Sequence, residues 1–326
     1  MKTEILRLLR ESDDYISGQE LCERFGVSRT AIWKAMNQLK EAGYEIQAVQ
    51  NRGYHLVSAP DLMNKVELES LRQTKWAGQE IYYYDCTDST NTRAKELAEA
   101  GHAHGTLCVA DQQTAGKGRR GRSWESPSGC SIFMTLMLKP DMDPNNASML
   151  TLVSALAVAH ALEDVTGEAV QIKWPNDIVM NGRKVVGILT EMSAQFDYIN
   201  HIVIGIGINV HNESFPEELS QMASSLTLEC GGRHFHRAEI IEKFLEYFEK
   251  YYDTFMLTQD LVALVPEYNS MLVNMHNKVR VLDPKEPYEG KAMGITRRGE
   301  LIVDTWSSRK MVSSGEVSVR GIYGYV

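Results

Sequence analysis

The chain has 326 residues, 43% of them hydrophobic and 24% charged, and its 34 Lys/Arg against 43 Asp/Glu leave a net charge of −9. This is the composition of an ordinary globular protein long enough for two or three domains; the whole chain is not a generic polyanion binder, so any nucleic-acid contact must come from a local surface. The five cysteines, at 22, 86, 108, 130 and 230, form no Cys-x-x-Cys pair, which suggests a reducing compartment and no structural zinc.

The start, Met1-Lys-Thr-Glu-Ile, alternates charge with apolar residues; no signal peptide is expected and the cytoplasm is the expected location. Residues 5–10 begin a helix with Ile5, Leu6, Leu8 and Leu9 on its apolar side. Ser17-Gly-Gln-Glu20 is a capping box opening a helix over 19–25, and Gly26 breaks it. Ser28 N-caps a third helix to about Glu41, with Ile32, Met36 and Leu39 on one face. Residues 44–57 alternate around Asn51-Arg52-Gly53, a hairpin or wing. The pattern is a winged helix-turn-helix. It holds eight Lys/Arg and eight Asp/Glu up to Val57, so bulk charge does not decide between DNA and protein contact. The third helix, however, carries Arg29, Lys34 and Lys40 and only Glu41 at its end. DNA binding is therefore expected through Ser28, Arg29, Thr30, Trp33 and Lys34 at its N-terminal end and Arg52 at the wing tip. Ser58-Ala-Pro-Asp61 reads as a linker.

In the central part, 81–84 is a strand leading into Asp85-Cys-Thr-Asp-Ser-Thr-Asn91, which is rich in N-cap residues, then a helix closed by Gly101. Hydroxyls and free N–H groups at such a junction suit a ligand, although capping alone would explain them. A strand at 107–110 runs to Gln112-Gln113-Thr114 and into Gly116-Lys-Gly-Arg-Arg-Gly-Arg122, where four cations and three glycines share seven positions, followed by Trp124. Glycine lets consecutive N–H groups form an anion nest and arginine offers a fork to phosphate or carboxylate; a solvated basic turn and a flexible nucleic-acid loop are the alternatives. No Gly-x-x-x-x-Gly-Lys-Ser/Thr occurs, so the loop is not a P-loop. The charge-free run 144–162 contains Asn, Ser, Thr and His and reads as a buried helix, not a membrane span. In Lys173-Trp-Pro-Asn-Asp177 the proline ends a strand. Asn181-Gly182 turns a hairpin that sets Lys184 beside the Asp177 region. In Gly205-Ile-Gly-Ile-Asn209 alternate glycines clear one face of a strand, with no dinucleotide fingerprint. His234-x-His236 has no acid or thiol at ligand spacing, so no protein metal site is expected. A helix over 237–255 is amphipathic, and from Asn277 short strands and turns suggest a small barrel.

These motifs in this order resemble the bifunctional biotin–protein ligases that also repress the biotin operon. The resemblance implies an α+β multidomain chain: a winged helix-turn-helix domain over 1–60, a mixed-sheet α/β, class II synthetase-like ligase domain over 61–274, and a small SH3-like β-barrel over 275–326. It implies biotin and ATP, with Mg2+ accompanying ATP, as ligands. Biotinyl-5′-adenylate forms first, and the biotinyl group then passes to a lysine of a biotin carboxyl carrier protein. Ser89, Thr90, Asn91, Gln113, Lys117, Gly118 and Arg119 match biotin contacts, and Lys184 lies by the biotin carboxylate and phosphate. Arg122, Trp124, Asn176, Gly205, Gly207 and Asn209 match the adenylate side. Lys184, Arg119 and Asp177 are the catalytic set, Asp177 activating the acceptor lysine. Many members have Arg where this chain has Lys117, a loss of the bidentate fork. The implied partners are the carrier protein, operator DNA and a second copy of the chain, with biotinyl-adenylate promoting the dimer as corepressor. A sensor that binds without catalysing is a second reading, and intact Lys184 and Asp177 argue against it. A lipoate-type ligase is a third, disfavoured by the winged helix and the full basic loop.

Overall fold

The computed structural model describes residues 1–283, 286–314, 318–321 and 325–326, with the backbone alone for Arg120 and Ser318. The chain divides into two compact units, Met1–Gln73 with His236–Glu242, and Thr74–Phe235 with Lys243–Val326.

In the first unit α1 (Lys2–Glu11) buries Ile5, Leu6, Leu8 and Leu9. Helix α2 (Gly18–Phe25) is capped by Ser17, which accepts from Glu20 N, and stops at Gly26 in the left-handed region. Ser28 caps α3 (Arg29–Glu41). Strands β1 (Glu45–Val49) and β2 (Gly53–Ser58) pair antiparallel as the wing. Gly53 has φ 121°, and a Cβ there would sit 2.0 Å from Ile16 O, so only glycine fits. The unit does not stop at the expected linker. Helix α4 (Lys65–Leu71), which the sequence reading did not foresee, brings the buried Glu67 to Arg10 and to the Tyr44 hydroxyl. Asp61 accepts from Arg237 N at 2.8 Å and Nε at 2.7 Å. A buried carboxylate has to be paired, and pairing Glu67 draws its helix onto α1.

The second unit runs β3 (Ile81–Thr87), α5 (Thr90–Glu99), β4 (Thr106–Gln113), β5 (Ser131–Leu138), a 3-10 turn at Pro144–Met149, α6 (Leu150–Thr166), β6 (Gln171–Lys173), β7 (Asp177–Met180), β8 (Arg183–Ala194), β9 (Ile199–Asn209), α7 (Leu226–Glu229), α8 (Arg237–Met256, its first turns in the other unit) and α9 (Val265–Met271). The strands form one mixed sheet in the order β3-β4-β5-β9-β8-β7-β6; only β3 and β4 are parallel. Pro144–Thr166 is long and apolar enough to cross a membrane, but 72% of its most apolar window is buried here, as a core helix would be. Five further strands, β10 (Lys278–Leu282), β11 (Tyr288–Ile295), β12 (Leu301–Asp304), β13 (Arg309–Val312) and β14 (Ser318–Gly321), make an antiparallel sheet ordered β13-β12-β11-β10-β14. Of the strand expected at 317–319, Val317 lies outside the described residues.

Glu249 of α8 accepts from the backbone N–H groups of Lys75, Trp76 and Ala77 at 2.9, 2.8 and 3.0 Å, holding the entry to β3. Glu249→Ala strands these donors at a site 8% exposed. It should cost about 2–4 kcal/mol in urea unfolding, with Glu249→Gln recovering part of that.

Candidate active site and nucleic-acid interface

One end of the site is built where β3 hands over to α5. Ser89 is the N-cap residue of α5 and is 3% exposed. Thr90 donates its N–H to Gln113 Oε1 at 2.8 Å, and Gln113 Nε2 donates to Ser126 Oγ at 3.1 Å. The Thr135 hydroxyl lies 2.8 Å from Thr90 Oγ1 and 2.7 Å from Asn91 Oδ1. Asn91 Nδ2 donates to Glu191 Oε2 at 2.7 Å, while Lys95 holds Oε1 at 2.7 Å. Burial pushes the Glu191 carboxyl up, but the Lys95 and Asn91 donors outweigh it and hold it below the ordinary range. The result is a set of uncharged donors and acceptors with fixed orientations, suited to a neutral polar ring.

Along the sheet, glycine makes the room. Gly187 of β8 and Gly207 of β9 are register partners. Cβ atoms there would lie 2.6 and 2.8 Å from the Trp124 indole, which lies in the cleared groove; a Cβ at Gly205 would lie 2.2 Å from Asn91 Oδ1. Trp124 Nε1 is buried without a hydrogen-bond partner among the described residues, a donor that a ligand acceptor would satisfy. The basic loop leaves and returns as a narrow ribbon, Trp124 N to Gly116 O at 2.9 Å and Gly118 N to Arg122 O at 2.7 Å. Together these residues line one pocket open to solvent, with Ser89, Thr90, Asn91 and Gln113 joined by Lys117, Gly118, Arg119, Trp124, Asn176, Lys184, Gly205 and Gly207.

At the charged end, the Asn181-Gly182 turn takes φ 48° and 77° and folds β8 back on β7. Lys184 Nζ meets Asp177 Oδ1 at 2.6 Å. Arg119 Nη1 donates to Asn176 Oδ1 at 2.7 Å. Burial works against the Asp177 charge, yet Lys184, with Tyr325 and Lys173, holds its carboxyl below the usual carboxylate range. Lys173, 7% exposed, has its ammonium pushed down to about 8, first by burial and then by Lys184, Arg320 and Arg122, against the pull of Asp177. Asp177 does not itself line the pocket and stands behind Lys184. Arg122 and Asn209 lie outside the lining: Arg122 is exposed, and Asn209 Nδ2 donates to Ser224 O at 3.0 Å. Glu191, Thr135, Lys173 and Tyr325 were not among the expected site residues. Lys173 belongs to a motif already singled out, and Glu191 lies two positions beyond Leu189 on a strand known to reach the site. Thr135 is the register partner of Gly205, visible only once the strands are paired.

On the other unit, Ser28, Arg29, Thr30, Trp33 and Lys34 are all exposed at the start of α3, with Trp33 59% exposed. Arg29 Nη2 donates to Gln19 at 3.1 Å. Arg52 at the wing tip is engaged with Asp14 at 2.8 Å and lies 4.3 Å over the Tyr15 ring; both members of the ion pair are exposed, so it contributes little and yields readily to a phosphate.

The profile of the biotin/lipoate A/B protein ligase family matches residues 83–209, a helix-turn-helix domain matches 2–55 and the biotin protein ligase C-terminal domain matches 278–320. The chain belongs to the family of bifunctional biotin ligase/repressors. It is similar to the bifunctional ligase/repressor BirA of Bacillus subtilis, 37% identical over 98% of both chains. The BirA of Escherichia coli is 29% identical over 96% of this chain and 95% of its own. A biotin protein ligase from Aquifex aeolicus in complex with biotin and ATP is similar in structure, with TM-score 0.67 and 31% identity over 74% of this chain and 99% of that one.

Gly205→Ala drives a methyl into Asn91 and should weaken biotin binding by about tenfold or more, on the scale of one disturbed buried polar contact, in titration calorimetry. The fold should survive, as read by circular dichroism.

Proposed function

We propose that the protein joins biotin to a lysine of a carrier protein at the expense of ATP, and that it represses transcription through its winged helix. The observation that carries the ligase reading is a single pocket with an uncharged hydrogen-bonding end and a cationic end, Lys117, Arg119 and Lys184, with Asp177 paired behind Lys184. Biotin seats its ring among Ser89, Thr90, Asn91 and Gln113. Its carboxylate, at the cationic end, attacks the α-phosphorus of ATP; the mixed anhydride forms and pyrophosphate leaves. Two anions must approach, and Lys184 and Arg119 offset that repulsion and the charge developing on the leaving group. The adenine packs beside Trp124 on the glycine-cleared strands, with Asn176 on the same side. The carrier lysine then attacks the acyl carbon and AMP departs, Asp177 taking up the amine proton. Mg2+ enters with the ATP phosphates: among the described residues no group of three His, Cys, Asp or Glu is placed to hold a metal. The location is the cytoplasm, where ATP and carrier are available. We place DNA binding in the helix-turn-helix of 1–60 and the ligand site in 61–274, with the small sheet of 275–326 in the same compact unit as that site. A sensor that only binds biotin needs no acid to take up a proton from an acceptor lysine, so Asp177 beside Lys184 favours the enzyme.

Repression is supported by the exposed cations of α3. One winged helix reads one half-site, and in a chain of net charge −9 a few phosphate contacts give weak, salt-sensitive binding. Two copies on a two-fold axis read a palindrome and combine their affinities. Biotinyl-adenylate, by ordering the basic loop beside the sheet, favours that dimer.

Incubation with biotin, ATP, Mg2+ and a carrier domain should add one biotinyl group to the carrier by mass spectrometry. Lys184→Ala or Arg119→Ala should cut adenylate synthesis by about 10²-fold, the scale of one lost stabilising donor. Pyrophosphate release at the wild-type rate would remove these residues from the reaction. For the repressor half, Lys34→Ala should weaken operator binding and reduce the slope of log affinity against log salt by about 1. If adenylate changes neither the sedimentation coefficient nor the operator affinity, the dimer coupling is wrong.

A further inference from the structure

Tyr325 lies at the catalytic pair although no motif in the sequence points to it. Its hydroxyl donates to Asp177 Oδ2, across 148 positions of sequence. The other oxygen, Oδ1, is already taken by Lys184 Nζ at 2.6 Å and Asn176 Nδ2 at 3.1 Å. Lys173 Nζ lies 3.4 Å from the centroid of the Tyr325 ring, so the phenol is held at its hydroxyl by an acid and on its face by a buried ammonium. The neighbouring Val326 keeps the segment down: its Cγ2 lies 3.3 Å from the Cβ position of Gly182, in the turn that joins β7 to β8.

We propose that Tyr325 is a positioning residue for the acyl-transfer half of the reaction, acting through Asp177; the inference rests on the ligase reading above. With Oδ1 occupied by two donors, Oδ2 is the oxygen left to receive a proton from an incoming lysine. A carboxylate oxygen accepts along more than one direction. The phenol takes one of these, fixes the rotation of the carboxyl group, and leaves Oδ2 able to accept once more. Its donated hydrogen bond also favours the ionised form of Asp177, the form that accepts a proton. Lys173 holds the ring so that the hydroxyl stays on Asp177, and its own charge supports the same carboxylate.

The test uses the full-length protein, with the two half-reactions separated. Enzyme preloaded with biotinyl-adenylate is mixed with carrier domain for single-turnover transfer, and adenylate formation is followed by pyrophosphate release. Tyr325→Phe keeps the ring over Lys173 and removes only the donor. It should slow transfer about tenfold more than adenylate formation, the scale of one hydrogen bond to a charged group, and move the acidic limb of the transfer rate to higher pH. In an Asp177→Asn background the same substitution should have little further effect, because the two act as a unit. Equal slowing of both half-reactions, or additive effects in the double variant, would show a merely structural role and overturn the proposal. Faster transfer with a lower KM for the carrier would also overturn it, making the ring a plug over Asp177. A wild type that releases no pyrophosphate would overturn the ligase reading, and this proposal with it.

Discussion

Bare backbone in the middle of the large sheet is the constraint on which the site depends. Gly187 and Gly207 face each other across β8 and β9, and Gly205 pairs with Leu189 one step along. Side chains at these places would occupy the space where the Trp124 ring and the Asn91 amide now lie. The polar groups of the pocket are arranged around that clearing: Asn91 is turned by Thr135 and Glu191, Gln113 is turned by Ser126, and Lys184 Cε lies 3.2 Å from the Cβ position of Gly187. The sheet leaves room there for the indole and the amide, and the loops add the charge.

The charges follow a similar economy. The chain is acidic overall, yet a ribbon and a hairpin bring cations to the pocket, the ribbon pinned by Gly118 N to Arg122 O and by Arg119 to Asn176, the hairpin by Lys184 N to Met222 O. Lys184 and Lys173 share one acid between them. Removing Asp177 would leave Lys184 without its ion-pair partner and Lys173 without the nearby carboxylate that supports its charge, so the acid holds the cations in place as well as any role it has in proton transfer.

Much of this was legible in the sequence where the determining contacts are short-range. The Asn181-Gly182 turn, a two-residue signal, put Lys184 beside Asp177, and the structure has them in an ion pair. Ser17 and Ser28 cap the helices they were expected to cap. Alternate glycines announced a cleared strand face. What could not be read depends on which distant strands become neighbours. Thr135 reaches Asn91 only because β5 pairs with β9, Glu67 reaches Tyr44 only because α4 folds back, and Tyr325 reaches Asp177 from the far end of the sequence. Residues 58–61 read as linker because Pro and Ser break periodicity, which says nothing of the Asp61–Arg237 contact that ties them down.

The facing glycines also have a meaning for descent. A Cβ at Gly187 or at Gly207 meets the same indole from opposite strands, so the three positions 124, 187 and 207 are a single inherited character. A side chain at either glycine is blocked while the tryptophan stands. A lineage could fill the groove only by first giving up the tryptophan, and with it the aromatic wall of the pocket. The order of change is therefore fixed: the ring must go before either glycine can be replaced.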